Sequence, residues 1–262
     1  MTEPSGSAAG TGKRGAAGVV APTMRIDIWS DVVCPWCSIG KKRLERALAD
    51  FEHADDVEVV YHSFLLDPSA PVTPVETSRE AIARKYGISL EQAAQAQARV
   101  DALAAEEGMT WDQSATPHVS TRDAHRLLHL ALAEHGADTQ AALKEALLQA
   151  YFAEARNVGD HGVLAGIATG VGLDADRVAA VLGSEEYADE VWADIDRAGD
   201  LGATGVPFFV VDDRYGISGA QPVELFAQAL RQAWAERSPL QVLTPDAGDG
   251  VGEACGPEGC SV

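Results

Sequence analysis

The spacing of apolar residues divides the chain into a short β-rich start, a long helical middle and a late β-hairpin. Apolar and polar residues alternate over residues 25–29, which is typical of a strand. Residues 57–64 are rich in β-branched and aromatic side chains and predict a second strand. Between them, apolar residues recur at helical spacing over residues 35–51. Strand, helix and strand in this order predict a parallel pair of strands joined by a crossover helix.

The middle of the chain, residues 75–200, carries the signals of several helices. Thr77 and Ser89 are each followed three residues later by Glu or Gln, the pattern of a capping box at a helix start. Leu143, Leu147 and Tyr151 form an apolar stripe at helical spacing, which predicts a helix packed into a core. Further helices are predicted over residues 121–135, 139–156, 161–169, 175–182 and 185–198.

Strand character returns at residues 206–211 and 215–218, which predict a β-hairpin, and Pro222 is well placed to open a helix that reaches residue 237. We therefore predict an α/β fold whose β-containing domain is split into residues 24–74 and 201–238. An α-helical insertion spans residues 75–200. Residues 1–23 are rich in Gly, Ala, Ser and Thr and predict a disordered extension. Residues 239–262 predict a flexible tail with a C-x₄-C pair.

Composition and charge narrow the range of partners. Twenty basic and forty acidic residues give a net charge of −20, which would repel nucleic acid and anionic membrane surfaces. No apolar run is long enough to cross a bilayer or to form the core of a signal peptide. We therefore expect a cytoplasmic protein without nucleic-acid or membrane partners. The composition leaves the oligomeric state open.

The four cysteines lie in two close pairs, Cys34/Cys37 and Cys255/Cys260, which indicates redox or metal chemistry rather than structural cross-links. In Cys34-Pro35-Trp36-Cys37 the first thiol stands at the start of a predicted helix. Unpaired N–H groups and the helix dipole stabilise a thiolate there, so we expect Cys34 to project toward water as the nucleophile. Cys37 would lie beneath it as the resolving thiol.

Four segments resemble the DsbA family of thiol-disulfide oxidoreductases, and within it the FrnE-like branch of cytoplasmic enzymes. They are Ser-Asp-Val-Val-Cys-Pro-Trp-Cys-Ser-Ile-Gly at residues 30–40, Phe-Leu-Leu-Asp-Pro at 64–68, Tyr-Phe at 151–152 and Gly-Val-Pro-Phe-Phe at 205–209. The resemblance covers about residues 24–237. It implies a thioredoxin-like fold with a large α-helical insertion domain.

The resemblance also implies roles for individual residues. Cys34 would form the mixed disulfide with the substrate and Cys37 would resolve it. Pro207 would be a cis-proline beside the cysteines, leaving the backbone of Val206 free to pair with a substrate chain. Together with Val206 and Pro207, the two residues between the cysteines, Pro35 and Trp36, are expected to bind the substrate.

The implied substrates are protein or small-molecule thiols and disulfides. The reaction needs no bound cofactor, because the cysteines carry the electron pair and an external thiol pool regenerates them. Glutathione is a candidate reductant. DsbA proteins commonly have histidine between the cysteines, whereas Trp36 supplies no charge, so we expect a less oxidising protein.

Three alternatives stay open. The related 2-hydroxychromene-2-carboxylate isomerases and kappa-class glutathione transferases use glutathione on aromatic or polyketide intermediates, although they typically have serine where Cys34 stands. The two cysteine pairs could instead complete a tetrahedral zinc site in an interaction protein, a reading that we rank well below redox chemistry. The tail pair, Cys255 and Cys260, could also relay oxidation state to Cys34.

Three further polar residues are weaker candidates for a functional role. Asp31 could help to move protons during exchange, although a loop aspartate is more often a turn or cap residue. His125 and His129 have the i, i+4 spacing of a metal-binding pair, but no neighbouring Glu completes an H-E-x-x-H motif. An ordinary core or surface role is the stronger expectation for both histidines.

Overall fold

The computed structural model describes residues 23–237. The predictions for the N-terminal extension and for the tail with Cys255 and Cys260 lie outside these residues. The strands are β1 (Met24–Ser30), β2 (Val57–Ser63), β3 (Phe208–Val211) and β4 (Tyr215–Ser218). The helices are α1 (Pro35–Ala49), α2 (Ser78–Tyr86), α3 (Leu90–Glu106), α4 (Arg122–His135), α5 (Ala137–Phe152), α6 (His161–Gly170), α7 (Ala175–Leu182), α8 (Ala188–Asp200) and α9 (Val223–Ala235).

The four strands form one mixed sheet in the order β2-β1-β3-β4. β1 runs parallel to β2, as the crossover predicts, with Met24 opposite Val57 and Ser30 opposite Ser63. β3 is antiparallel to β1 and forms the predicted hairpin with β4. The thioredoxin-like fold is therefore confirmed, with α2–α8 lying in the chain between β2 and β3.

Three apolar clusters are buried within the described residues, and two of them are large. In the first, α1 and α9 pack on one face of the sheet through buried residues such as Leu44, Phe209, Phe226 and Leu230. In the second, helices α4–α7 bury their apolar faces against one another around Leu127, Leu143 and Leu147. The predicted stripe of Leu143, Leu147 and Tyr151 is confirmed as core. Among residues 23–237, no helix is both long enough and apolar enough to span a membrane.

Local signals in the sequence account for several helix boundaries. Both predicted capping boxes are present: Thr77 with Glu80 opens α2, and Ser89 with Gln92 opens α3. Each satisfies backbone N–H groups that the first turn of a helix leaves unpaired. Gly87 ends α2 in the left-handed conformation, with φ of 63°, which glycine adopts without steric cost.

One glutamine attaches α5 to the edge of the sheet. The side-chain amide of Gln140 accepts a hydrogen bond from the backbone N–H of Tyr61 and donates one to its carbonyl oxygen, both at 2.8 Å. These bonds satisfy backbone groups on β2, an edge strand that would otherwise leave them unpaired. Because Gln140 lies one turn before Lys144, the same attachment fixes where the next turn of α5 lies.

A partly buried charge cluster joins the sheet to α8. His62 on β2 lies between two carboxylates, with Nε2 at 2.6 Å from Asp27 and Nδ1 at 2.8 Å from Asp194. Asp194 also accepts the N–H of Ser63 at 2.7 Å and pairs with His129 of α4. His129 is thus part of the attachment between helices and sheet, in keeping with the structural role that the sequence favoured.

Candidate functional site

The two cysteines lie at the N-terminus of α1. Cys34 is the N-cap residue and Pro35 takes the first helical position, where its missing N–H is not needed. The N–H of Cys37 donates to the carbonyl of Cys34 at 3.1 Å. Both residues are free thiols and both are only 3% exposed. The expectation that the Cys34 sulfur projects toward water is therefore wrong.

The reason for this burial is the loop before β3. The carbonyl oxygen of Val206 lies 3.7 Å from the Cys34 sulfur and accepts its S–H. The Val206–Pro207 peptide bond is cis, as the family resemblance implied. Pro207 packs against α1 at Gly40, where an added Cβ would lie 3.0 Å from Pro207 Cγ and 3.1 Å from Phe209 Cζ. Glycine at position 40 thus permits the close approach that places the Val206 carbonyl over Cys34.

Cys34 lines a groove of about 560 Å³ between the start of α1 and the helices α2 and α3. Pro35, Trp36 and Val206 line it on the cysteine side. Ile82, Tyr86 and Val100 line the opposite wall. Trp36 is 41% exposed beside the reactive pair, an unusual exposure for a large aromatic residue. The groove can therefore admit an apolar group to within reach of Cys34.

Asp31, three residues before Cys34, is buried and also lines the groove. Its carboxylate accepts the N–H of Val32 at 2.7 Å and the N–H of Leu66 at 2.9 Å, and it lies 3.3 Å from Nε2 of His125 on α4. Burial alone would raise the pKa of Asp31, yet these hydrogen bonds, above all that of His125, hold it below its usual value. Asp31 is therefore a buried carboxylate at neutral pH.

The electrostatic surroundings of Cys37 include a buried lysine. Burial raises the pKa of the Cys37 thiol well above its usual value, and the neighbouring Cys34 acts in the same direction. Lys144 of α5, which is 1% exposed, opposes this effect and lowers the pKa of Cys37. Burial in turn lowers the pKa of Lys144 to about 8, although the charges of Cys37 and Asp31 raise it. Cys37 therefore depends on its charged neighbours to form a thiolate.

The structure brings most of the predicted site residues together. Cys34, Pro35, Trp36 and Val206 share the groove, and Cys37 lies next to Cys34. Pro207 contacts α1 behind the cysteines, and is not among the residues that line the groove. The proposed relay cysteines lie outside the described residues.

Sequence reasoning missed Lys144 and gave too little weight to Asp31 and His125. A signal for Lys144 was present, since it is a charged residue directly beside the apolar stripe that Leu143 and Leu147 define. A lysine at the border of a buried stripe is usually expected to extend its amine to water. Here it is fully enclosed, which only the packing of α5 on β2 reveals.

The described residues offer no metal centre. Within residues 23–237, no group of three or more His, Cys, Asp or Glu side chains is arranged to hold a metal ion. A zinc site of four cysteines would also need the tail pair, which lies outside this range.

Comparison with solved structures identifies similar proteins. A crystal structure of a probable DsbA oxidoreductase from Streptomyces coelicolor is 50% identical, with a TM-score of 0.80, and the match covers 91% of this chain and 99% of that chain. The cytosolic disulfide reductase DsbM from Pseudomonas aeruginosa, solved with GSH, is 18% identical over 79% of this chain and 98% of that chain, with a TM-score of 0.55. A 2-hydroxychromene-2-carboxylate isomerase is 14% identical over 82% of this chain and 100% of that chain, with a TM-score of 0.56.

The last two likenesses concern the fold alone, because their identities are low. The family model of the DSBA-like thioredoxin domain, however, matches residues 25–231, which is most of the chain and includes the cysteine pair, the helical segment and the late hairpin. The chain belongs to the DSBA-like thioredoxin domain family.

Proposed function

We propose that this protein is a thiol-disulfide oxidoreductase of the FrnE-like branch, which exchanges disulfides through Cys34 and Cys37. The observation that carries the proposal is the position of the two free thiols. They are in contact at the start of α1, and Cys34 alone lines the groove. Substrates are protein or small-molecule thiols and disulfides.

The two cysteines take different parts in the reaction. Cys34, at the N-terminus of α1, attacks a substrate disulfide and forms the mixed disulfide. Cys37 then displaces the substrate sulfur and closes the Cys34–Cys37 disulfide. The reverse sequence would oxidise a substrate dithiol, so the direction follows from the redox state of the partners.

The groove provides the substrate-binding surface. Trp36 and Pro35 offer an apolar wall beside Cys34, and the backbone of Val206 offers polar groups to an extended substrate chain. Pro207 supports this surface from behind through its contact with Gly40. A substrate with an apolar side chain next to its sulfur fits this arrangement best.

Regeneration requires an external thiol pool but no bound cofactor. Glutathione is the candidate reductant, since a protein of the same fold, DsbM, has been solved with GSH. We place the reaction in the cytoplasm. Two close cysteine pairs in a long chain favour catalytic thiols over structural disulfides, and thiols of this kind are kept reduced in that compartment.

The second candidate is a glutathione-dependent isomerase acting on an aromatic or polyketide intermediate, since a 2-hydroxychromene-2-carboxylate isomerase shares the fold. In such an enzyme the reactive thiolate belongs to glutathione, so a thiol at position 34 is not required. A zinc-binding interaction protein is the third alternative. It requires stoichiometric metal on the purified protein and loss of structure with a chelator.

Turnover of a disulfide-bonded peptide with glutathione, measured on full-length protein, separates these functions. We expect Cys34→Ser to abolish turnover. The matched control Ser38→Ala, which removes a hydroxyl from the same turn of α1 without removing a thiol, should keep it. Full activity in Cys34→Ser would contradict the proposal and favour the isomerase.

A further inference from the structure

One face of α2 runs along the groove that Cys34 lines. Four residues at the i, i+3, i+4 and i+7 spacing of a helix face contribute to the lining: Ser78, Ala81, Ile82 and Lys85. At about 1.5 Å per residue, this face is about 10 Å long. An extended polypeptide rises about 3.3 Å per residue, so about three residues of a substrate chain can lie along it. The groove therefore has room for an extended segment beside α2.

Two aromatic side chains of the groove leave much of their surface uncovered. Trp36 is 41% exposed, and Tyr86 at the end of α2 is 67% exposed. Within residues 23–237, neither ring contacts another aromatic ring, and neither polar tip has a hydrogen-bond partner. Large aromatic residues exposed along a groove are typical of a binding surface. They offer contacts to an apolar residue of a substrate.

Most of the charged groups that line the groove already have partners within the protein. Arg84 pairs with Glu76, and His118 lies between Glu76 and Asp67. The carboxylate of Asp31 is buried and accepts hydrogen bonds from two backbone N–H groups. Each of these charges is therefore offset before a substrate arrives.

Lys85 is different from the other charged residues of the groove. Its side chain is exposed, and within the described part of the chain it makes neither an ion pair nor a side-chain hydrogen bond. A cation in the last turn of α2 also interacts with the helix dipole, but this effect is small at an exposed site, and Arg84 provides it as well. Lys85 is thus available to pair with a negative charge on a substrate.

The net charge of the chain makes this local cation important. At −20, the protein as a whole repels acidic groups as they approach. A cation on the wall of the groove offsets that repulsion at one place. Complementary charges of this kind contribute mainly to specificity and to the rate of association. The groove can therefore select an acidic group that lies at a particular distance from the reacting sulfur.

We propose that the α2 wall of the groove recognises an extended polypeptide that carries an acidic residue near its cysteine. Lys85 is the counter-charge, and Tyr86, opposite Trp36, is the apolar contact. The proposal rests on the proposed function and narrows its substrate class from thiols and disulfides in general to polypeptides of this kind. Because Lys85 and Tyr86 act on recognition and not on the cysteines, the effect of changing them should depend on the substrate sequence.

Peptide disulfides with matched sequences test the proposal. Each is a symmetric disulfide of a short peptide that has one cysteine with leucine beside it. A glutamate is moved through the positions within about three residues of the cysteine on either side, the length that α2 can line. In the matched peptides, glutamine replaces the glutamate. Oxidised glutathione serves as the small-molecule disulfide for comparison.

A single-turnover experiment on full-length protein compares these substrates. Reduced protein is mixed with the disulfide and acid-quenched at successive times. Mass spectrometry of the digested protein then gives the fraction of Cys34 joined to the substrate. The rise of this fraction measures adduct formation, and its later fall measures the resolving step. Peptide mapping keeps any reaction of Cys255 and Cys260 separate.

The measured quantity is the ratio of the adduct-formation rates of the glutamate and glutamine peptides. At the best glutamate position, Lys85→Gln should lower this ratio about two- to fivefold, the range of an exposed ion pair. The rate for the glutamine peptide should stay within about twofold of wild type. Lys85→Arg, which keeps the charge, should keep the wild-type ratio, and Lys85→Glu should lower the ratio further.

Tyr86→Ala tests the apolar contact. It should slow the glutamate and glutamine peptides by the same factor of about three to five, because it removes an aromatic contact and no charge. The slowing should disappear when glycine replaces the leucine beside the peptide cysteine. Equal slowing with leucine and with glycine would contradict the role of Tyr86.

Arg99→Gln is the matched control for Lys85→Gln. Arg99 is an exposed cation on α3, makes no ion pair within residues 23–237 and does not line the groove. Its replacement changes the net charge by the same amount, so it corrects for the general field of the chain. It should leave the ratio within about 1.5-fold of wild type.

The proposal would be overturned if Lys85→Gln changed the ratio no more than Arg99→Gln does at every glutamate position. It would also be overturned if wild-type protein reacted with oxidised glutathione alone, or if Lys85→Gln slowed only that reaction, because the groove would then serve a small-molecule disulfide. If wild-type protein formed no adduct at Cys34 with any of these disulfides, the proposed function itself would fail, which is a distinguishable result.

Discussion

The two cysteines of this site have the same chemistry and the same exposure but face different regions of the molecule. Cys34 faces a groove with apolar walls and a backbone carbonyl, where a substrate can reach it. Cys37 is buried, does not line the groove, and is influenced by the charge of Lys144. The comparison teaches that the surroundings, and not the thiols themselves, give the two cysteines different access to the groove and different electrostatics.

The two regions also come from different parts of the chain. The carbonyl over Cys34 belongs to the loop before β3, in the thioredoxin-like sheet. The cation near Cys37 belongs to α5, in the helical segment between β2 and β3. The helices therefore supply more than a groove wall, because the charge of Lys144 on one of them also acts on Cys37.

The largest expected effect on turnover comes from removing one of the two thiols at a time. Cys37→Ser should retain the attack of Cys34 on a disulfide but accumulate a stable mixed disulfide at Cys34, because no thiol remains to resolve it. Turnover should be lost although the first step persists. Mass spectrometry after reaction with a disulfide-bonded peptide checks this result. If Cys34→Ser formed a mixed disulfide at Cys37 in the same yield, the distinction between the two cysteines would be contradicted.

The next largest effect is expected on stability, at the cluster of His62, His129 and Asp194 that attaches the helices to the sheet. Asp194→Asn should lower the free energy of unfolding by about 2–3 kcal/mol, because it leaves His62 with one carboxylate and leaves His129 with the hydroxyl of Ser63 as its remaining partner. Denaturant titration at several pH values measures this change.

The pH dependence of that loss follows from the two pKa shifts. Asp194 and Asp27 raise the pKa of His62 from 6.5 to about 9 against the effect of burial, so its contribution is full below about pH 6.5 and is lost as pH rises through about 9. The pKa of Asp194 is lowered from 3.8, so its contribution is present above that value and is lost as pH falls through the lower, folded-state value. The loss in Asp194→Asn should be largest between these limits. A loss independent of pH would contradict this assignment.

A smaller effect of opposite sign is expected at Lys144. Its pKa is lowered from 10.5 to about 8 by burial, so the unfolded chain binds more protons between these values. The resulting penalty is full below about pH 8 and is relieved as pH rises toward 10.5. Lys144→Met should therefore raise the free energy of unfolding at neutral pH by about 1–3 kcal/mol.

Denaturant titration of Lys144→Met checks this gain, which should shrink at high pH. A gain in stability would show that the buried charge of Lys144 does not support the fold. A loss of stability at neutral pH would mean that Lys144 supports the fold instead, and would weaken the contrast between the two cysteines.

The smallest effect is expected on the groove side. Trp36→Ala should slow adduct formation at Cys34 by a few-fold, about 1 kcal/mol of lost apolar contact, for a peptide with an apolar residue beside its sulfur. The resolving step should be unchanged, because Trp36 lines the groove and Cys37 does not. Equal slowing of adduct formation and of the resolving step would show that the surroundings of Cys34 and Cys37 do not act separately.

Much of the fold could be predicted from local patterns. The strands and most helices were found within a few residues, because periodicity and capping boxes such as Thr77 with Glu80 are local signals. The cysteine pair and the cis-proline followed from the resemblance to the family. The α1 helix ends at Ala49 rather than at residue 51, a difference of the size that fraying at a helix end produces.

The buried side of the site could not be predicted in the same way. Asp31, His125 and Lys144 meet only because a loop, α4 and α5 pack together, and no local pattern encodes that meeting. The expectation that Cys34 is exposed was wrong for a similar reason. Val206, which covers Cys34, is distant from it in the chain. Predicting this part of the site requires the tertiary packing.

The central claim is that Cys34 and Cys37 form a reversible disulfide. It is tested most directly by thiol trapping of full-length protein, first oxidised and then reduced, with peptide mapping of every cysteine pair. We predict a Cys34–Cys37 disulfide after oxidation and two free, alkylated thiols after reduction. If the inner pair stays reduced under oxidant, or is blocked by bound zinc, the account of this protein as a thiol-disulfide oxidoreductase is contradicted.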